Sequence, residues 1–388
     1  MLLPRCFILV FALVLTVLLL STAESSPSSS SSSSSSASTD ASPSKKSEEK
    51  PEDISKTSSS SCLAIPTVPL ANGVEMPLLQ LGTANLIETP NTRPWVHSNF
   101  QGMLPELTFR QTELALRSGI RAFDTAYIYR SQPAMGAVLG EWFRTGQLTD
   151  RRELWITTKI FHPDATSITF GISHLPLLHE MTPAQVTQAV QQQFEECLKE
   201  LHLGYVDLML LHWPSGMSQG TEQDNRKRRL AAWKVLETVY AKGWARSIGL
   251  SNFAPKHIEQ LKTDGAQILP MVNQFEASII LQYPDILEYC QQNNIVAQAY
   301  SPLGRGVTEM PSLVADIAQR HGKDVGQVSF RYLYQLGYAI TYLTTSEKRM
   351  ISNTEIFDFE LSDDEMKQLA SLRRQDGSWG LPSPHELD

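Results

Sequence analysis

The chain has 388 residues, with 33 Lys+Arg against 41 Asp+Glu, a formal net charge of -8, and 41% hydrophobic residues. That length holds one large domain or two ordinary ones with a sizeable core. An acidic balance with no basic block argues against nucleic acid as a partner. The four cysteines, Cys6, Cys62, Cys197 and Cys290, are widely spaced and form no Cys-x-x-Cys pair. This argues against a zinc cluster or a dense disulfide framework. Cys197 and Cys290 fall in helical patterns and read as small core residues.

At the N-terminus, Arg5 precedes an apolar run from Cys6 to Leu20, shorter than the ~20 residues a bilayer-spanning helix needs. Ser21-Thr22-Ala23 then supplies small residues of the kind signal peptidase reads. Residues 1–23 read as a secretory signal peptide cut before Glu24, with an uncleaved signal anchor as the rival. An unbroken serine run from Ser28 to Ser36 and a Lys/Glu/Pro stretch from Lys45 to Lys56 follow. Such composition cannot bury enough apolar surface to offset its ordering entropy, so residues 24–62 read as a disordered linker. The expected location is the secretory pathway, lumenal or extracellular. An organelle reached through a bipartite signal, or a membrane anchor, is the alternative. No Asn-x-Ser/Thr sequon occurs, so no N-glycosylation is expected.

From residue 63 to 388 the pattern is regular. Short apolar runs of strand length alternate with segments of helical period. The predicted strands are Leu78–Gly82, Arg121–Thr125, Leu154–Lys159, Asp207–His212, Ala245–Ser251, Met271–Gln274, Val296–Tyr300 and Ala339–Thr344. Thr182-Pro183-Ala184-Gln185 opens a helix with a capping box and Pro at its first position. Val186, Val190, Phe194, Cys197, Leu198 and Leu201 continue it on one face. Leu230, Trp233, Leu236 and Val239 line another helix, which stops at Gly243. Further helices are predicted at Pro255–Thr263, Asp285–Asn294, Ser312–His321 and Gln327–Leu336. Strand–helix alternation of this kind implies parallel pairing through crossovers, and eight units fit a closed (β/α)8 TIM barrel. A doubly wound sheet would show Gly-x-Gly-x-x-Gly after its first strand. Gly304-Arg305-Gly306 lacks the third glycine and follows a late strand. Asn85–Thr108 and His162–Met181 are expected to be long loops at the C-terminal face, where sites are built.

Polar residues at strand C-termini are therefore the place to look. The second strand ends in Asp124-Thr125-Ala126, with Tyr129 close behind. The third ends in Thr158-Lys159, and the fourth in Leu211-His212-Trp213-Pro214. An acid, a phenol, an amine and an imidazole thus arise on one face, though none needs to be there for strand formation. Taken singly, each has a plainer reading as a loop anchor, salt bridge or core histidine. Together they suit carbonyl reduction, which requires a hydride to carbon and a proton to oxygen. A phenol is a poor acid at its free pKa of ~10. A buried cation beside it stabilises the phenolate. Lys159 supplies that cation, Asp124 holds it charged, and His212 directs the substrate oxygen. His174, His179 and Glu180 lack metal-ligand spacing, and no metal is expected. No Tyr-x-x-x-Lys occurs, which disfavours a short-chain reductase.

These motifs make the chain resemble the aldo-keto reductase superfamily. Asp124-Thr125-Ala126-x-x-Tyr129 with Gly136 matches its first signature. Leu203-Gly204-Tyr205-Val206-Asp207-Leu208-Met209-Leu210-Leu211-His212-Trp213-Pro214 matches its second, and Thr158-Lys159 stands at its catalytic lysine. The resemblance covers about residues 68–375. It implies a catalytic tetrad of Asp124, Tyr129, Lys159 and His212, reduction of an aldehyde or ketone by NADPH, and a monomer. It also implies coenzyme contacts from Ser251, Asn252 and Gln274 to the nicotinamide carboxamide, and a stacking ring from Tyr300. Ser301 and Leu303 match residues around the pyrophosphate. Arg349 and Asn353 match ligands at the adenine end, and Thr344 lies in the same stretch. There the sequence departs. Thr341-Tyr342-Leu343-Thr344-Thr345-Ser346 replaces the usual Ile-Pro-Lys-Ser, so Leu343 stands where a lysine meets the 2′-phosphate. NADPH is still expected, through Arg349, with NADH possible. The family's Asn-Glu after the tyrosine is Ser131-Gln132, which bears on the geometry of the following turn. An aromatic wall is missing at Ala84. Trp213 is expected to line the substrate pocket, with Trp95 as a possible substitute wall.

Overall fold

Eight parallel strands close on themselves. In the computed structural model, which describes residues 64–84, 104–160, 180–214, 220–304, 310–374 and 383–387, they are β3 (Leu79–Gly82), β4 (Ala122–Asp124), β5 (Trp155–Ile160), β6 (Val206–Leu211), β7 (Ala245–Ser251), β8 (Val272–Glu276), β9 (Val296–Tyr300) and β10 (Ala339–Tyr342). Each pairs in parallel with its neighbour in the chain, and β10 pairs with both β9 and β3, which closes the barrel. Every predicted strand is present, with ends shifted by a residue or two. β4, for example, is shorter than the expected Arg121–Thr125. Its last residue, Thr125, still reaches the next strand through its N–H to the Thr157 carbonyl.

The crossover helices cover the barrel. Those between β3 and β10 are α1 (Pro105–Arg117), α2 (Gln132–Arg144), α3 (Pro183–Leu201), α4 (Glu222–Ala241), α5 (Pro255–Asp264), α6 (Pro284–Gln292), α7 (Ser312–His321) and α8 (Val325–Gln335). The Thr182/Gln185 capping box is formed as the sequence predicts. Val186, Val190, Phe194, Cys197 and Leu201 are buried along α3. Cys197 and Cys290 are free and buried; burial pushes both thiols up to about 12, so they sit in the core as protonated, inert groups. Two helices follow β10, α9 (Glu347–Ser352) and α10 (Asp363–Ala370). The expected loop Asn85–Thr108 overruns the observed helix, because Pro105 starts α1 with its preset backbone and a missing donor at a position that needs none. Gln111 of α1 then donates to the carbonyls of Gly82 and Thr344 and stitches the C-terminal ends of β3 and β10 together.

An antiparallel hairpin, β1 (Thr67–Pro69) and β2 (Glu75–Pro77), precedes the barrel. Its turn carries Gly73 at φ +80°. Asn72 donates from the turn to the Arg246 carbonyl at the start of β7, so the hairpin sits at the N-terminal end of the strands. At that end Asp207, wholly buried, accepts from Arg151 at 2.7 Å, Arg246 at 2.9 Å and the Ile156 N–H at 2.9 Å. This ties β5, β6 and β7 together opposite the site. The signal-like segment (1–23), the linker (24–62), Trp95, His174 and His179 lie outside the described residues, as does most of both long loops.

Candidate active site

Lys159 enters the barrel from β5, and its amine lies 2.5 Å from Asp124 Oδ1 and 2.9 Å from the Thr125 carbonyl. Their side chains are only 1% and 3% exposed. Such a pair survives in a low-dielectric interior only when each charge satisfies the other. Burial pulls the Lys159 pKa down. The charges of Asp124 and Tyr129, with hydrogen bonds to both, outweigh burial and raise it above the ordinary lysine value. The amine also lies 5.0 Å from the centre of the Tyr129 ring. His212 follows β6 directly and meets Tyr129 edge to face, with ring centroids 5.7 Å apart. The four residues named from strand ends therefore converge on one spot.

The turn after β4 places Tyr129 in a short 3-10 segment, Tyr127–Tyr129, closed by Arg130 in a left-handed conformation. Ser131 and Gln132 anchor that turn. The Ser131 hydroxyl lies 3.0 Å from the hydroxyls of both Thr83 and Thr125. Gln132 accepts from Thr158, the residue before Lys159, at 2.8 Å and donates to Glu200 at 2.9 Å. The departure from the family pattern at these positions is thus built into a complete local network. Gly136 has a steric reason: a Cβ there would lie 2.1 Å from the Glu200 carbonyl oxygen of α3.

The residues expected at the nicotinamide end also meet. Asn252, at φ +64°, donates to the His212 carbonyl at 3.0 Å and to the Ser251 hydroxyl at 3.1 Å, and accepts from the Tyr300 hydroxyl at 2.8 Å. Gln274 donates to Asp124 Oδ2 at 2.8 Å, which joins this group to the buried ion pair. Its amide oxygen receives no hydrogen bond among the described residues. A carboxamide N–H2 is the kind of donor that would complete it, and the half-buried Tyr300 lies close by. The donor set therefore fits a nicotinamide. Leu303 and Asn353 converge at the other end. A Cβ on Gly326 would meet Leu303 Cδ1 and Asn353 Oδ1, each at 3.9 Å. Ser301 takes φ +53° and its carbonyl accepts from Gly304. The Thr344 hydroxyl accepts from the Ser346 N–H. Arg349 is exposed near the end of α9, and Leu343 is 50% exposed. Trp213 is almost wholly buried and stacks on His212, with centroids 6.4 Å apart. Reading the sequence did not single out Gln298, whose side chain bonds Gln274, or Arg229, buried in α4, which donates to the Pro214 carbonyl.

The sequence profile of the Aldo/keto reductase family matches residues 79–374. The chain is 33% identical over 321 residues to glyoxal reductase of Bacillus subtilis, covering 83% of this chain and 97% of that protein. It is 31% identical over 322 residues to NADPH-dependent codeinone reductase 1-4 of Papaver somniferum, covering 79% of this chain and 89% of that one. Among solved structures, an aldo-keto reductase of the silkworm Bombyx mori complexed with NADPH is similar at 29% identity and a TM-score of 0.63, over 82% of this chain and 90% of that chain. The chain belongs to the aldo/keto reductase family. It is a nicotinamide-dependent oxidoreductase acting on carbonyl compounds.

Proposed function

We propose that the chain reduces an aldehyde or ketone to the alcohol with NADPH, and that Tyr129 is the general acid. The buried Lys159–Asp124 pair beside the Tyr129 ring carries this reading. The coenzyme, when bound, supplies the hydride. Tyr129 gives its hydroxyl proton to the carbonyl oxygen. As the proton leaves, negative charge grows on the phenol oxygen, and the Lys159 cation stabilises it in a medium where such an interaction is little screened. Asp124 keeps Lys159 protonated and fixed. His212, seated against Tyr129, directs the carbonyl oxygen toward the phenol. Water is kept from the pair by its burial.

For the coenzyme, Ser251, Asn252, Gln274 and Tyr300 hold the nicotinamide. Ser301 and Leu303 lie along the pyrophosphate, and Thr344, Arg349 and Asn353 hold the adenine end. Arg349 is free of ion pairs among the described residues and is the cation for a 2′-phosphate. With Leu343 in place of a lysine, discrimination against NADH is modest. The substrate is a small carbonyl compound, and Trp213 supports its pocket through His212. The reading extends to location: Arg5, the apolar run from Cys6 to Leu20 and Ser21-Thr22-Ala23 direct the chain to the secretory pathway. The test of the reaction is isotopic. With NADPH deuterated at the transferable position and an aldehyde substrate, the alcohol carries the deuterium. An alcohol without it contradicts direct hydride transfer.

A further inference from the structure

The lumen of the barrel holds amides where such barrels usually carry branched apolar side chains. Gln298 on β9 is wholly buried and pairs in register with Gln274 on β8. The direction of their hydrogen bond is dictated by Asp124. That carboxylate pairs with the Lys159 amine through its other oxygen, and toward Gln274 it accepts. The Gln274 atom 2.8 Å from Asp124 Oδ2 must be its nitrogen. The Gln298 atom 2.8 Å from that same nitrogen must then be its oxygen. Both hydrogens of the Gln274 amide are committed, one to Asp124 and one to Gln298. Its oxygen is thereby held away from them.

Gln298 itself gains little from the arrangement. Its own Nε2 is buried with no partner among the described residues, which is destabilising. A leucine would remove that orphaned donor but would leave one Gln274 hydrogen without an acceptor. Proteins tolerate a broken local rule where function requires it.

We propose that Gln298 is a positioning residue for coenzyme recognition: with Asp124 it holds both hydrogens of the Gln274 amide, so that the Gln274 oxygen is presented to the NH2 group of a nicotinamide carboxamide. This rests on the coenzyme reading given above.

Binding is measured by quenching of the tryptophan fluorescence of the full chain. One titrant is NADPH. The other is its reduced 3-acetylpyridine analogue, in which a methyl group replaces the amide NH2. In the wild type NADPH binds more tightly than the analogue. Gln298→Leu is expected to weaken NADPH binding about tenfold and analogue binding less than about twofold. Gln274→Leu gives the same pattern, and adding Gln298→Leu to it changes little further, because both act on one contact. The melting temperature of Gln298→Leu stays near that of the wild type, because the orphaned Gln298 donor is gone while one Gln274 hydrogen loses its acceptor. The proposal is overturned if Gln298→Leu leaves NADPH binding intact, weakens both ligands alike, or adds its full effect to Gln274→Leu. If the wild type binds neither NADPH nor NADH, the coenzyme reading itself falls, and the proposal with it.

Discussion

Acid is expected to loosen the C-terminal tail through one buried histidine. His257 lies in α5, wholly inaccessible. Its Nδ1 accepts from the Ala254 N–H at 3.0 Å, so the proton of the neutral ring is on Nε2. That nitrogen lies 3.0 Å from the Leu387 carbonyl and donates to it, which pins the end of the chain. Protonation would set a second N–H against the Ala254 N–H. Burial and the nearby Arg229 accordingly push the His257 pKa down to about 3, from 6.5. The folded pKa lies below the unfolded one, so between pH 6.5 and 3 the unfolded chain binds the proton and the folded chain does not. This stability is intact above pH 6.5 and is lost as pH falls. Between pH 7 and pH 5 the loss is about 2 kcal/mol. Urea unfolding of the wild type and of His257→Gln at both pH values isolates it, since other titrations are common to both. The wild type should lose about 2 kcal/mol more than the variant over that interval. Equal losses refute the reasoning.

Three substitutions probe other parts of the account. Asp124→Asn leaves the buried Lys159 charge without its counter-charge, and leaves one acceptor oxygen where Lys159 and Gln274 each used one. It should cost about 3–5 kcal/mol in thermal unfolding and lower kcat sharply, and a stable, active variant contradicts the role given to the pair. Gly136→Ala places a methyl against the Glu200 carbonyl and should destabilise by about 1–3 kcal/mol, read as a lower melting temperature with little change in KM. Leu343→Lys should tighten NADPH binding by up to about 1 kcal/mol, leave NADH binding unchanged, and lose its benefit at high salt. Equal gains for both coenzymes would remove the 2′-phosphate from that position.

The barrel was legible because its strands are buried on both faces and read as apolar runs between amphipathic helices. The reactive residues were legible because Asp124, Lys159 and His212 are polar exactly where apolar runs end, a place that folding alone does not explain. What escaped has physical reasons. Gln298 lies inside a strand covered on both sides, so alternation cannot say which residues face the lumen. Arg229 is buried but sits in a helix most of whose other charges are at least partly exposed. Two elements had signals that were passed over. Asn72-Gly73 is a strong hairpin cue, masked by strands of three residues each. Met135, Val138, Leu139 and Trp142 follow the helical period and are the buried face of α2.

The most direct measurement is oxidation of NADPH by the purified chain with an unhindered aromatic aldehyde, for the wild type and Tyr129→Phe, alongside NADPH binding to each. The account predicts turnover by the wild type, a loss of at least about a hundredfold in the variant, and NADPH affinity that is the same in both. A variant that turns over at the wild-type rate contradicts the assignment of Tyr129 as the proton donor.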